Sequence, residues 1–378
     1  MHETISPPKR PRRRRRAIFV SLAVVVVILA GLQRWQLNEF AITPGSATNV
    51  PPLVKVTGLP TSHHKDRLLL VDVYLQQLSM LQYLTFHLQS HVEFVNGAWL
   101  TSPGVPTSQL NDQGYQEMLD SKTAATVAAF RALGWRIPSS PTGAVVTEVL
   151  GDSTANAAGL GVQDRITSAN GRPVRNGCDL IAVIHPLAPN SPVRLGITHQ
   201  YFTDSGTLRI GKSHTVSLRT QAVPRGDGGP SGCPGVTGPE RSFLGMGLED
   251  GLAYTFPATV SINTANVGGP SAGLAMTLAI INALSKTSIT GHHLIAMTGT
   301  IDPSGAVGDV GGVAEKTVAV GQSGAKYFFV PKGELATAKS AGVAGLRIIP
   351  VSSLTQVLHF LRTIGGAAPV PITPPTKP

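Results

Sequence analysis

The stretch that most restricts how this chain can fold is "GGPSAGLAMTLAIINAL", Gly268 to Leu284. From Ala272 onward almost every residue is apolar. A helix that is apolar on all sides has to be buried, so a domain must be built around this one. The preceding "FPATVSIN" alternates. Ala258, Val260 and Ile262 share one face, and Thr259, Ser261 and Asn263 the other, as in a half-buried strand. Gly268, Gly269 and Pro270 then turn the chain, and the helix is expected to start near Ser271. Two uses of that hydroxyl stand open. It can cap the helix. It can also be a nucleophile at the positive helix end, where backbone N–H groups of the turn would hold an oxyanion.

A nucleophile needs a base. "VGGVAEKTVAVGQSGAKYFFVP", from Val310, predicts a helix over about Val313 to Ser323, a stop at Gly324 and a strand. Lys316 shares the apolar face of Val313 and Val320, whereas Glu315 and Gln322 point to the other side. Burial disfavours the ammonium form, which is what a lysine general base near neutral pH requires. A lysine snorkelling from the core edge is the alternative.

The chain has 378 residues, 42% hydrophobic and 14% charged, enough for two or three domains with real cores. Its net charge of +10 is concentrated in one place. Lys9, Arg10 and Arg12 to Arg16 form a terminal patch, offset by Glu3, and the remainder carries only about +4. No basic face is left for nucleic acid. The patch precedes "AIFVSLAVVVVILAGL", Ala17 to Leu32. Sixteen helical residues span roughly 24 Å against a hydrocarbon core of ~30 Å. Arg16 and Arg34 can snorkel, and Trp35 suits the interface. The expectation is a basic cytoplasmic tail (1–16) and a transmembrane signal anchor (17–35), with the rest extracytoplasmic. A cleaved signal peptide is the competing reading, but Ile28 and Ala30 make a poor cleavage pair. Cys178 and Cys233 fit an oxidising compartment. The sequence leaves their pairing open.

After the connector "ITPGSATNVPPL", residues 36–136 form an N-terminal extracytoplasmic region with "RLLLVDVYL" as its clearest strand. A helix is expected over Gln113 to Leu133, stopped by Gly134. No independent function can be assigned to this region. "GAVVTEVLGDSTANAAGLGVQDRITSANGRPV", Gly143 to Val174, reads as strand, Ala-rich helix, strand and Asn-Gly turn. That order resembles a PDZ domain of the bacterial protease-associated type, over residues 137–222. The resemblance implies uptake of an extended peptide by strand addition; a mere spacer is the other reading. Residues 223–240 are a Gly/Pro linker, 241–361 the last domain, and 362–378 a proline-rich tail.

Taken together, the two opening stretches carry more. "GPSAG" runs into an apolar helix, and "TGTIDPSGAVGDVGGVAEKTVAV" follows with its lysine 45 residues after the serine. This resembles the proteolytic domain of Lon-type proteases, across Met246 to Leu361. The resemblance implies that Ser271 attacks the peptide and Lys316 is its base. Thr298 matches a threonine that can hydrogen-bond the lysine, and N–H groups near Gly269 to Ala272 would hold the oxyanion. Gly268 stands where ATP-driven members commonly have an acid. The whole arrangement resembles membrane-bound Lon-like proteases with a PDZ domain, found in many bacteria.

The expected fold class is therefore α+β multidomain: an N-terminal transmembrane helix, a PDZ-like β-sandwich or barrel module, and a C-terminal Lon-type α/β proteolytic domain. The expected function is an ATP-independent serine endopeptidase acting on exported or membrane proteins, with no metal or organic cofactor. Polypeptides and the lipid bilayer are the expected partners, and the resemblance admits a homo-oligomer. A PDZ peptide-binding scaffold with an inactive Lon-like domain is the alternative.

Other patterns compete. "GTLRIGKS", Gly206 to Ser213, fits the Walker A pattern and "LLLVD", Leu68 to Asp72, resembles a Walker B strand. A phosphate loop must open a helix, however, and "GKSHTVSL" continues as an alternating strand. "GPSAG" also fits the serine-hydrolase elbow, with Asp302 or Asp309 and then His359 in the right order. His63-His64 and His292-His293 lack metal-ligand spacing and read as loop histidines.

Overall fold

The computed structural model describes residues 12–203, 207–223, 232–234, 236, 241–265 and 267–370, with only backbone considered at 12–17. The tail before residue 12, most of the expected 223–240 linker, Asn266 and the end of the proline-rich tail lie outside the described residues.

Helix α1 (Arg12–Arg34) comes first. Its large apolar side chains from Ile18 to Leu29 are exposed. Among the described residues no helix is long and apolar enough to cross a membrane. The helix expected at 17–35 does form, but its uncharged run is shorter than the hydrocarbon core.

The next elements are β1 (Gln36–Asn49), β2 (Val54–Thr57), β3 (Arg67–Ser79), α2 (Met80–Phe86), β4 (Glu93–Asn96) and α3 (Leu110–Ala132). The chain then enters the PDZ-like part. This holds β5 (Ser139–Val149), α4 (Thr154–Ala157), β6 (Arg165–Ala169), β7 (Arg172–Pro173), α5 (Gly177–Ile184), β8 (Pro192–Phe202) and β9 (Leu208–Arg219). It ends with β10 (Gln221–Ala222), β11 (Ser242–Phe243) and β12 (Met246–Tyr254). The last part contains β13 (Thr259–Ile262), α6 (Gly273–Leu284), β14 (Leu294–Met297), β15 (Thr300–Ile301), β16 (Val307–Gly308) and α7 (Val313–Ser323). It closes with β17 (Tyr327–Pro331), α8 (Leu335–Ser340), β18 (Arg347–Val351) and α9 (Leu354–Thr363).

One sheet overturns the expected separation of residues 36–136 from 241–361. Its order is β18-β17-β14-β3-β1-β4. β3 lies parallel to β14, with Leu69 opposite Ala296, and β2 pairs with β13. The two segments flanking the PDZ-like part therefore build one fold, into which that part is inserted. "RLLLVDVYL" shows why. Leu68, Leu69, Leu70 and Val71 are all buried, as a strand covered on both faces requires. Leu68 and Leu70 join the core around α6, with Ala125, Ala129 and Phe130 of α3 and Phe329 of β17. Leu69 and Val71 face Val313, Val320 and Phe328 on the other side. Helix α6 is buried along nearly its whole length, as its composition demands.

The main sheet of the PDZ-like part is antiparallel, β12-β5-β6-β8-β9 with β7 against β6, and β10 and β11 form a separate two-stranded sheet. It extends beyond the expected boundary at 222. β12 runs along all of β5, from Met246 opposite Val149 to Tyr254 opposite Ser139. Lys212 and Ser213 of the Walker-like pattern lie inside β9, where Ser213 pairs with Thr198 of β8. Among the described residues no helix opens there to cradle a phosphate.

Cys178, in α5, is disulfide-bonded to Cys233 across a sequence separation of 55. Closing a loop of that size contributes about 4 kcal/mol in the chain-entropy model. Cys178→Ser is expected to lower the unfolding midpoint of the PDZ-like part in urea by a corresponding amount. Dithiothreitol should do the same to the native protein and nothing further to the variant.

Candidate active site

Ser271, the candidate nucleophile, stands just outside α6. The helix begins at Gly273 with Ala272 in the cap position, and no side chain caps it. The expected start near Ser271 is thus two residues early, and the capping role for its hydroxyl falls away. The turn is fixed from several directions instead. Gly269 adopts a φ of 82°, which favours glycine. Its N–H donates to the Gly114 carbonyl of α3 at 2.8 Å. The Ser121 hydroxyl, also on α3, donates to the Pro270 carbonyl at 3.0 Å. The Ser271 carbonyl accepts from the Gly299 N–H at 3.0 Å and from the Thr298 hydroxyl at 3.4 Å.

This packing corrects two expected roles. The Gly269 N–H is already used by Gly114 and is not free for an oxyanion. Ser271 and Ala272 have N–H groups without a backbone acceptor among the described residues. Thr298 is fully buried, but its hydroxyl turns to the Ser271 carbonyl rather than to Lys316. Gly268 also gains an explanation. A Cβ there would lie 3.2 Å from the Gly114 carbonyl carbon, so an acidic side chain would press on the backbone of α3.

Gly273 is tighter still. An added Cβ would meet Ile301 Cγ2 at 2.8 Å, Ile301 N at 2.9 Å and Ser121 Oγ at 3.0 Å. Gly273→Ala is therefore expected to destabilise the fold by about 1–3 kcal/mol through overpacking. It should also slow acylation by displacing the Ser271 turn. Denaturant unfolding and serine labelling measure the two effects separately.

Lys316 comes from the first turns of α7. Gly312 precedes the helix in the left-handed conformation, and a Cβ there would lie 3.0 Å from Val73 and 3.1 Å from Ile42. The start of α7 thus rests on β1 and β3. Lys316 is only 3% exposed. Burial pushes its pKa down to about 8, while the Asp72 and Glu334 carboxylates pull the other way. Glu315, expected on the outer face, is itself buried. Burial raises its pKa, and its Oε2 has no hydrogen-bond partner among the described residues.

Ser271 and Lys316 line one cleft of about 600 Å³. Gly268 to Pro270 and Asp309 to Gly311 form one wall, and Leu110, Gly114, Tyr115 and Glu117 of α3 another. Ile42, Val73 and Leu75 supply an apolar side. A buried amine whose pKa is lowered to about 8 and a hydroxyl at a helix start, opening onto one cleft, are groups suited to acyl transfer. The α3 and β1–β3 contributions escaped the sequence reading. Gly114, a lone glycine inside a helical pattern, was the available signal.

The hydrolase arrangement is not assembled. Asp309 borders the cleft, but no histidine lines it among the described residues. His359 faces a separate depression with Arg131 and Ser304. The Asp302 carboxylate is occupied by its own turn, accepting from the Ser304 and Ala306 N–H groups at 2.8 and 2.9 Å. His64 and His293 bond the carbonyls of Ser285 and Ile364.

A second concavity, about 320 Å³, lies between α5 and β12. Leu180, Ile181 and Ile184 face Leu244, Met246 and Leu248 across it. β12 is the outer strand of its sheet, so an extended peptide could add along its free edge.

Parts of the chain are similar to known proteins. Residues 263–363 match the Lon protease (S16) C-terminal proteolytic domain, and residues 119–211 match the PDZ domain. The Lon protease of Metamycoplasma arthritidis is 36% identical over 96 residues, covering 25% of this chain and 11% of that protein. Lon protease 2 of Bacillus subtilis is 37% identical over 117 residues, 30% of this chain and 20% of that protein. The chain thus spans no more than about a fifth of the length of these relatives. The PDZ domain of an SdrC-like protein from Listeria monocytogenes superposes with a TM-score of 0.21 at 19% identity, covering 28% of this chain and 86% of that one. The chain carries a Lon-type S16 proteolytic domain, a serine peptidase domain, together with a PDZ domain.

Proposed function

We propose that this chain is an ATP-independent, membrane-anchored serine endopeptidase in which Ser271 is the nucleophile and Lys316 the general base. The observation that carries the reading is the shared cleft: the half-buried Ser271 and the buried Lys316, whose pKa is lowered to about 8, open onto the same space. Neutral Lys316 takes the Ser271 proton as the oxygen attacks a peptide carbonyl. The Ser271 and Ala272 N–H groups hold the developing oxyanion. The resulting ammonium protonates the leaving amine, and water resolves the acyl-enzyme.

The unpartnered apolar face of α1 and the basic run before it support an anchor with the N-terminus in the cytoplasm. The Cys178–Cys233 bond supports an oxidising compartment for the rest. Polypeptides of exported or membrane proteins would be gathered by the groove beside β12 and cut in the cleft. Substrate trapping with Ser271→Ala in intact membranes tests this. Enrichment of exported polypeptides over the unmutated chain is expected. Capture of the same peptides by both forms, with no serine labelling of either, would favour a peptide-binding scaffold.

A further inference from the structure

Helix α3 bears on both sites. At its start, Gln109 clasps the backbone of β5: its amide donates to the Val149 carbonyl at 2.8 Å, and its oxygen accepts from the Val149 N–H at 3.0 Å. Val149 pairs with Met246 of β12, and Met246 lines the groove. Two turns on, the Gln116 amide donates to the Glu249 carboxylate of β12 at 2.6 Å. Glu249 follows Leu248, another groove residue. The same helix gives Gly114 to the Gly269 N–H and Ser121 to the Pro270 carbonyl. It therefore grips the strand that would receive a peptide, and also both residues before the nucleophile. An α-helix moves as a rigid rod, so an ordered β12 orders the turn through it.

We propose that α3 couples the two sites, with Ser121 and Gln116 as positioning residues, so that a peptide added to β12 speeds acylation of Ser271. The inference rests on the peptidase reading for its rate effect, but its structural half does not. No direct contact between the groove and the cleft is needed, because one helix serves both. Couplings of this kind change a rate or affinity by about 5- to 100-fold.

The test uses the full chain in detergent. A panel of fluorescein decapeptides ending in leucine, valine or phenylalanine is ranked by anisotropy, and the tightest is used at saturation. A fluorophosphonate reports the Ser271 acylation rate, and hydrogen exchange of the Gly269 amide is followed in the Ser271→Ala protein. The peptide should raise acylation at least 5-fold and slow Gly269 exchange by a similar factor. Gln116→Leu should reduce both responses below 2-fold while peptide affinity is kept. Ser121→Ala should lower the acylation rate without changing the affinity for the fluorophosphonate, and Ser121→Thr should restore it. An acylation rate and an exchange rate both indifferent to bound peptide overturn the coupling, as does failure of every panel peptide to bind. A peptide-dependent change in exchange without any labelling overturns the peptidase reading and the rate effect, and leaves the mechanical link standing.

Discussion

Replacing Ser271 by alanine is expected to abolish peptide hydrolysis and serine labelling while leaving the fold intact. The side chain makes no cap to α6, and the turn is held by backbone groups of residues 269 to 271 that alanine retains. Loss of the nucleophile in a serine peptidase costs on the order of 10⁴- to 10⁶-fold in kcat. Thermal unfolding should stay close to that of the native protein. His359→Ala, by contrast, should retain full activity, because His359 lies outside the cleft. Full proteolysis by Ser271→Ala, or its loss in His359→Ala alone, would remove the basis of the proposed chemistry.

Lys316 should produce a second large effect, with opposite signs on activity and stability. The neutral amine is the competent form, so kcat/KM is expected to rise with pH to a half-maximum near pH 8. Lys316→Arg should be inactive across that range, since a guanidinium does not deprotonate. For stability, the folded pKa lies below the unfolded value of 10.5. The unfolded chain therefore binds more protons between pH 8 and 10.5, and stability of the native protein should rise with pH across that window. Below pH 8 the buried ammonium costs about 3 kcal/mol. Lys316→Met should accordingly unfold at higher denaturant than the native protein at pH 7, with the gap closing toward pH 10.5. A flat pH–rate profile through pH 8, or a Met variant less stable at pH 7, would contradict the assignment of Lys316 as a desolvated base.

The burial of α6 and of Lys316 was legible because both signals are local. Apolar residues all round α6 fix its burial, and the spacing of Val313, Lys316 and Val320 fixes the face of the lysine. The same face rule failed for Glu315. Its side of α7 turned out to be covered as well, and periodicity along one helix says nothing about what packs from outside. The PDZ-like segment was legible in its middle and cut short at its end, because β12 follows a Gly/Pro stretch that reads as a boundary. The largest miss was the role of residues 36–136. "RLLLVDVYL" is recognisably a strand, but its partner β14 lies more than 200 residues away. Nothing local marks such a pairing. What holds the serine turn from α3 was hidden for the same reason: Gly114 and Ser121 meet residues 269 and 270 only in three dimensions.

The insertion has a consequence for synthesis. β3 leaves the ribosome with four consecutive apolar residues and meets β14 only after some two hundred more have been made. At about 5–20 residues per second, that wait lasts on the order of tens of seconds. Throughout it the nascent first half presents a sticky, unpaired edge, while the module behind it can already close upon itself. Whatever escorts the growing polypeptide must shield that edge until the second half arrives.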